Sequence, residues 1–576
     1  MKAIRASLQQ DLCRARDITD NEREAFSKYL HLQRYHPALD LFPVPDLVSH
    51  KNLEFPTKYQ IDQWISQDQP KFWSAIRSAP VAGGDPPSPE PCTVFTKIVH
   101  LLNPIDIIKE KYVCPSHPLL PQSEKTWKST LLKLHSHNNQ AYVDAVASVI
   151  LSRFREQDLT PHCVLSYGSF TGISEKYQFN ISSEYDTYRQ CRWFWKGMQA
   201  HSARLTVTHE NKECIPHFDE LYKEITTCPF EDEESDLELA PLFSEPNDNS
   251  DIESVTSFTF DTIDNDADSP TMEIKQKSVL LDSESVEESS DSGSESESDG
   301  CDIDICMELP NMPIIIIAQE AQEGVMDALL DEDTLDGFER GSQGWEERWI
   351  AWLFQVVAAL TFLQSAICFT HNDLHSNNIL WRKTDKKYLY YRKRDGTVWQ
   401  VPTFGKIITI IDFGRSIFRV GKHLWVSDDH WPDQDAGDQY NFGPFFDATK
   451  PKVSPNPSFD LCRLSVSLID GLFDEAPPKK KGKGIPVMSE EDSWKVYETN
   501  SPLYNLLWSW TINDAGQTIY EDKDGYEKYE GFDLYIRIAQ DVHGAIPANQ
   551  LHRPVFQPFI WKQKVPAQET VYSLGV

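Results

Sequence analysis

Two short runs, HNDLHSNNIL at residues 371–380 and IIDFGRS at residues 410–416, bring together the residue types that phosphoryl transfer needs. Moving a γ-phosphoryl group requires a carboxylate beside the attacking hydroxyl, and hard oxygen ligands for the cation that neutralises the triphosphate. Asp373 suits the first task. Five residues on, Asn378 offers an amide oxygen, and Asp412 offers a carboxylate. Both suit Mg²⁺, which binds through few protein groups plus phosphate and water. Gly414 would let the backbone turn sharply after Asp412. Singly, each piece has a plain reading: His371 as a hydrogen-bonded core histidine, DFG as a turn after an apolar strand. Their joint spacing, with the β-like run KIITIIDFG at 406–414 leading into the second motif, singles out the chemistry.

The elements that must position these residues are traceable along the chain. Residues 349–370 carry no charge and are long enough to span a bilayer. Gln355, Gln364 and Ser365, and the run straight into HNDLH, make this stretch a buried helix instead. Upstream, CTVFTKIVHLL (92–102) has a strand pattern and carries Lys97, and STLLKLHS carries a competing lysine, Lys133. NNQAYVDAVASVILSRF (138–154) has helical spacing, with Asn138 or Asn139 as N-cap and Asp144 in its early turns, where an acid also suits the helix dipole. LTPHCVLSYGSF (159–170) reads as a turn and strand. MPIIIIAQEAQEGVMDALL (312–330) reads as a strand leaving the core through a linker at Glu320 to Gln322 into a short helix. SPNPSFDLCRLSVSLIDGLF (454–473) is a helix whose early Asp460 either caps the catalytic-loop backbone or is a simple N-terminal acid.

The ends are less informative. Residues 1–79 read as a polar, mostly helical extension, with NEREAFSKYLHLQRY and KYQIDQWISQDQPKFWSAIRS as amphipathic candidates. VAGGDPPSPEP (81–91) is a turn-rich break. SPLYNLLWSW through GFDLYIRIAQDVHGAIPANQL reads as further helices with a hairpin-like DGYEKYEG, and PPKKKGKG (477–484) as an exposed basic loop.

Charge and cysteine usage narrow the class. The net charge of −34 argues against nucleic acid or an anionic membrane as partner. Residues 231–300 hold 23 Asp or Glu against two Lys, so most of that charge sits in one block. Its serine-rich acidic run buries too little apolar surface to offset ordering entropy and reads as a disordered tether, with acid-directed phosphorylation as the alternative role. The eleven cysteines form no CxxC pair, Cys301 and Cys306 being closest. That fits free thiols in an intracellular, cytoplasmic setting and disfavours zinc. The N-terminus has no apolar signal-peptide core.

NNQAYVDAVAS, LTPHCVLSYGSF, HNDLHSNNILW, VPTFGKIITIIDFGRS, DQYNFGP and PNPSFDLCRL together resemble the divergent serine/threonine protein kinases encoded by nucleocytoplasmic large DNA viruses, over about residues 92–560. The resemblance implies an α+β, bilobal protein-kinase-like fold, with a small β-rich N-lobe and a larger helical C-lobe. Its parts would be a helical extension (1–79), the first part of the N-lobe (80–228), a disordered acidic insertion (229–304), the last N-lobe strand and hinge (305–324) and the C-lobe (325–576). It implies ATP and Mg²⁺ as cofactors, protein substrates as partners, and a host cytoplasm or virion location if the chain is viral. Asp373 would be the catalytic base, Asn378 and Asp412 the magnesium ligands, Lys97 and Asp144 an ion pair at the phosphates, and the backbone around Glu320 and Gln322 the adenine contact.

The departures matter too. No GxGxxG precedes Lys97, Gly83 and Gly84 being the only candidates. Asn372 replaces the arginine that clamps a phosphorylated activation loop, which implies that this switch is absent. His375 stands where a lysine usually meets the γ-phosphate, and an ordinary imidazole would be partly charged at neutral pH. A small-molecule phosphotransferase of aminoglycoside or choline-kinase type and a pseudokinase scaffold remain the alternatives.

Overall fold

The computed structural model describes residues 13–42, 53–79, 88–114, 125–208, 218–230, 304–432, 434–480, 487–488, 495–496, 498–522 and 525–575. The acidic block, Gly83, Gly84, Cys301 and the end of the basic PPKKKGKG run lie outside them. Contacts divide the chain into two units, residues 1–227 with 288–576, and residues 228–287. Every element below belongs to the first.

The fold is mixed α and β. Its largest sheet has seven antiparallel strands: β1 (Tyr29–Gln33), β2 (Gln60–Gln69), β3 (Phe72–Ala79), β4 (Ser88–His100), β5 (Ser166–Asn180), β6 (Arg204–Thr208) and β7 (Asp304–Glu320). They run in the order β1-β5-β7-β4-β3-β2, with β6 also on β7. The centre is β7, whose residues 312–319 are all buried, as a strand covered on both faces must be. Lys97 of β4 pairs with its Ile317.

The N-terminal residues correct the expectation of a helical extension. NEREAFSKYLHLQRY forms only the six-residue helix α1 (Asp20–Ala25) before turning into β1, and KYQIDQWISQDQPKFWSAIRS is the β2–β3 hairpin. A capping box starts α1: Thr19 Oγ1 accepts the Glu22 N–H at 3.2 Å, and Glu22 accepts the Thr19 N–H at 3.0 Å. Arg34, 1% exposed, then ties this segment together between the carboxylates of Glu22 and Glu54. A guanidinium so buried is tolerated only because both charges meet it.

The helices follow the apolar periodicity more faithfully. After α2 (Lys125–His135), α3 (Gln140–Glu156) is started by Asn139, whose side chain accepts the Ala141 N–H at 3.1 Å. It buries fourteen consecutive residues, from Ala141 to Phe154. The long apolar stretch is α4 (Gln343–Ile367). By length and composition it could cross a membrane, but 89% of its apolar window is buried in the protein, so it is a core helix. It ends at Cys368, in a left-handed conformation with φ +53°, and the chain enters the HNDLH loop. A three-stranded antiparallel sheet follows, β8 (Gly324–Val325), β9 (Ile379–Lys383) and β10 (Lys406–Ile410), in the order β8-β9-β10. Helices α5 (Phe459–Leu472), α6 (Pro502–Trp510) and α7 (Phe532–Asp541) follow along the chain. Glu521 and Glu527 bridge, as the hairpin-like reading of DGYEKYEG anticipated.

Candidate active site

Two loops leave the small sheet and meet. Residues 371–378 enter β9, and residues 411–416 leave β10; His371 Nε2 donates to the Ile411 carbonyl at 2.8 Å and joins them. Asp460, in the first turn of α5 and fully buried, accepts the backbone N–H groups of His371 and Asn372 at 3.0 Å. It therefore caps the loop. Burial pushes its carboxyl above the ordinary range, with His371 and the two N–H groups pulling the other way.

Asn372 is also fully buried and takes φ +66°. Its amide donates to the Arg415 carbonyl at 2.9 Å and accepts from the Tyr440 hydroxyl at 2.7 Å. A cross-brace thus occupies the position where the resemblance leads one to expect an arginine.

Lys97 is the point of convergence. Its Nζ lies 2.7 Å from Asp144 on α3 and 2.9 Å from Asp412. Burial alone would lower its pKa, but the two carboxylates outweigh it and hold it above the ordinary value. Asp144, 2% exposed, also accepts the Phe413 N–H at 3.2 Å, so α3 grips both the lysine and the DFG backbone. Asp412 is half-exposed on its side chain. Despite burial of the surrounding site, Lys97 holds its carboxyl well below the usual range. Lys133, the competitor, lies on α2 and pairs with Asp428 at 2.8 Å.

The turn after Asp412 corrects one expectation. The left-handed residue is Asp412 itself, at φ +62°, and Gly414 is not among the residues of positive φ. Gly414 instead sits close to α3: a Cβ there would meet the Gln140 side chain at 3.0 Å, a tight contact that this side chain would have to yield to. A left-handed Asp stores strain, of the kind that collects at functional sites.

Asn378 Nδ2 donates to the Asp373 carbonyl at 2.8 Å and lies 3.1 Å from His375 Nε2. An amide nitrogen only donates, so His375 Nε2 is an acceptor here and the ring is neutral. Burial lowers the imidazole's pKa, with Asp373 pulling the other way. His375 is thus an uncharged orienter of Asn378, which corrects the partly charged histidine expected from an ordinary pKa. Both amide hydrogens of Asn378 are used, leaving Oδ1 as the atom able to meet a cation. Among the described residues no group of three or more His, Cys, Asp or Glu forms a metal site. One amide oxygen and one carboxylate suit a cation that takes its remaining ligands from phosphate and water.

Glu320 and Gln322 lie apart from this cluster in their bonding. Glu320 forms a two-point ion pair with Arg155 near the end of α3, one contact being 2.9 Å, and accepts from Gln322 Nε2 at 3.0 Å. Thr409 of β10 donates to Gln322 Oε1 at 3.2 Å. Their side chains lace the exit of β7 to α3 and β10, and the Glu320 N–H itself donates to the Leu165 carbonyl at 2.9 Å.

Two residues that motif reading missed, Arg415 and Tyr535, act on Asp373. Arg415 and His375 hold its carboxyl below the usual range against burial, helped by the Tyr535 hydroxyl, which donates to Oδ1 at 2.8 Å. Arg463 stands behind Tyr535. Only Arg415 had a signal, its place directly after DFG. A cleft of about 1200 Å³ is lined by Asp373, His375, Asp412, Arg415, Arg463 and Tyr535 among others. Compared with known proteins, the chain matches no family model and no curated protein.

Proposed function

We propose that the protein is an ATP-dependent protein kinase on a bilobal protein-kinase-like fold, transferring the γ-phosphoryl group of Mg-ATP to Ser or Thr hydroxyls of protein substrates. The observation that carries this reading is Lys97, held at once by Asp144 of α3 and by Asp412. Kinases need a strand lysine paired with a helix acid, and a DFG aspartate at the metal, in place together. Asp373 accepts the substrate hydroxyl's proton as the oxygen attacks the γ-phosphorus in line with the departing β-oxygen. Lys97 steadies the α and β phosphates. Asn378 Oδ1 and the Asp412 carboxylate would hold a magnesium ion, which would supply charge neutralisation to the phosphates.

Strand order also bears on the phosphate cover. In kinases a glycine-rich loop covers the phosphates ahead of the lysine strand. Here the hairpin turn ahead of β4 is Pro70-Lys71, between β2 and β3, and it contains no glycine. Gly83 and Gly84 fall between β3 and β4, in the wrong connection. Thr96, next to Lys97, donates its N–H and hydroxyl to the Lys71 carbonyl at 2.8 and 3.1 Å, pinning this turn to the lysine strand. The glycine-free turn favours one second reading, a scaffold that binds without transferring.

Radiolabelled ATP incubated with purified protein and a protein extract separates the two. The wild type is expected to label proteins and Asp373→Asn to lose that labelling by at least about 100-fold. Equal labelling by both removes the catalytic claim. No labelling, with Mg-ATP still raising the melting temperature, supports the scaffold.

A further inference from the structure

Asp373 is met from a helix to which no motif residue belongs. Tyr535 of α7 donates to its Oδ1 at 2.8 Å, and Arg463 Nε of α5 donates to the Tyr535 oxygen at 3.0 Å. The guanidinium also lies over the same ring, 5.2 Å from its centroid. Chemistry fixes the direction of this chain. A guanidinium can only donate, so the phenol oxygen receives there and its one hydrogen points to the carboxylate. Burial holds the Tyr535 hydroxyl above its ordinary pKa, so the hydrogen stays in place.

The supports come from well-anchored elements. Tyr535 packs against Phe459 at 5.8 Å and stacks on Phe532 at 5.1 Å between centroids. Helix α5 contributes twice: Asp460 holds the backbone of the catalytic loop, and Arg463, three residues on, holds its side chain through Tyr535.

We propose that Tyr535, tethered by Arg463, is a positioning residue for phosphoryl transfer: it fixes one carboxylate oxygen of Asp373 so that the other, Oδ2, faces the hydroxyl being phosphorylated. The proposal rests on the kinase reading above. A tyrosyl hydroxyl beside the base also resembles an occupant of the substrate's own place. The bond from Arg463 argues against that role, because it holds Tyr535 from behind and leaves Oδ2 uncommitted to the ring.

Tyr535→Phe removes only the hydroxyl. Transfer of ³²P from labelled ATP into a heat-inactivated protein extract is measured over a range of ATP concentrations for wild type, Tyr535→Phe and Asp373→Asn. Tyr535→Phe is expected to lower the maximal rate about 10- to 100-fold, as a slightly misplaced catalytic group does, with the KM for ATP unchanged. An equal or faster rate overturns the proposal, the faster rate showing that Tyr535 blocks the substrate. A slower rate accompanied by a raised KM for ATP also overturns it, since a general loss of structure then accounts for the slowing. If wild type is as inactive as Asp373→Asn, the kinase reading itself fails and takes the proposal with it, an outcome independent of Tyr535.

Discussion

Lys97 and Lys133 lie in similar apolar runs, and nothing local in the sequence separates them. Their partners do, one 47 residues away on α3 and the other far along the chain. Lys97 neutralises Asp144, whose carboxylate is almost wholly buried and whose other contacts are the Phe413 N–H and Ser148. Removing the cation leaves a buried acid that hydrogen bonds only partly compensate, a cost of about 1–3 kcal/mol. Lys97→Met is therefore expected to abolish phosphate transfer and lower the unfolding free energy by that amount. Lys133→Met should retain transfer, because its ion pair touches neither Asp144 nor Asp412. Melting curves and labelling of both variants check this, and loss of transfer at Lys133 alone would reverse the assignment. Asp144 illustrates what the chain concealed: a helix acid reads equally well as a dipole-favoured surface charge until its lysine is seen beside it.

At the level of elements, α3 is held by a segment that follows the DFG motif. The first turn of α3 contains no acid of its own. Asp428 supplies one, accepting the Gln140 N–H at 3.1 Å, pairing with Lys133 at 2.8 Å, and donating its own N–H to the Asn138 carbonyl at 2.8 Å. A carboxylate at a helix N-terminus is favoured by the exposed N–H groups and the dipole. Since α3 carries Asp144, this clamp fixes the lysine pair without a phosphate, consistent with Asn372 standing in for an arginine. Asp428→Ala should cost about 1–2 kcal/mol and speed hydrogen exchange of the amides of residues 140–144 more than elsewhere. Uniform exchange across the helix in wild type and variant would disprove the clamp. The same scale explains where sequence reading failed and succeeded. α3 was legible because its apolar positions recur at helical spacing, and α4 because an uncharged stretch holding Gln355, Gln364 and Ser365 runs straight into the HNDLH loop. β2 was not: its ladder slips at Ile61/Gln63, Trp64/Ser66 and Gln67/Gln69, and these bulges stretch the two-residue alternation until the buried Ile61 and Trp64 stand three apart, as on a helix.

Across the whole molecule, response to acid follows from groups scattered through its interior. Burial pushes His36 and His162 down to about 3 and His430 to about 4. They lie respectively beside Tyr142, between the Ile408 carbonyl and the Tyr391 hydroxyl, and against the Arg415 carbonyl. Folded, they stay neutral; unfolded, each takes a proton below about pH 6.5. Stability from these groups is therefore fully present above that pH and falls as pH drops toward 4. Asp429 works in the opposite sense. Burial pushes its carboxyl up to about 7, against the pull of Arg415. The folded chain gains that proton below pH 7 while the unfolded chain waits until about 3.9, so acid stabilises through Asp429. From pH 7 to 5 each of these histidines loses about 2 kcal/mol and Asp429 offsets only part of it, so stability falls. Urea unfolding at pH 7, 6 and 5 should show the decline. His162→Gln, which keeps a donor for Ile408 and an acceptor for Tyr391, should make the decline shallower by about 2 kcal/mol. A variant whose stability runs parallel to wild type over this range would mean that His162 does not carry its share.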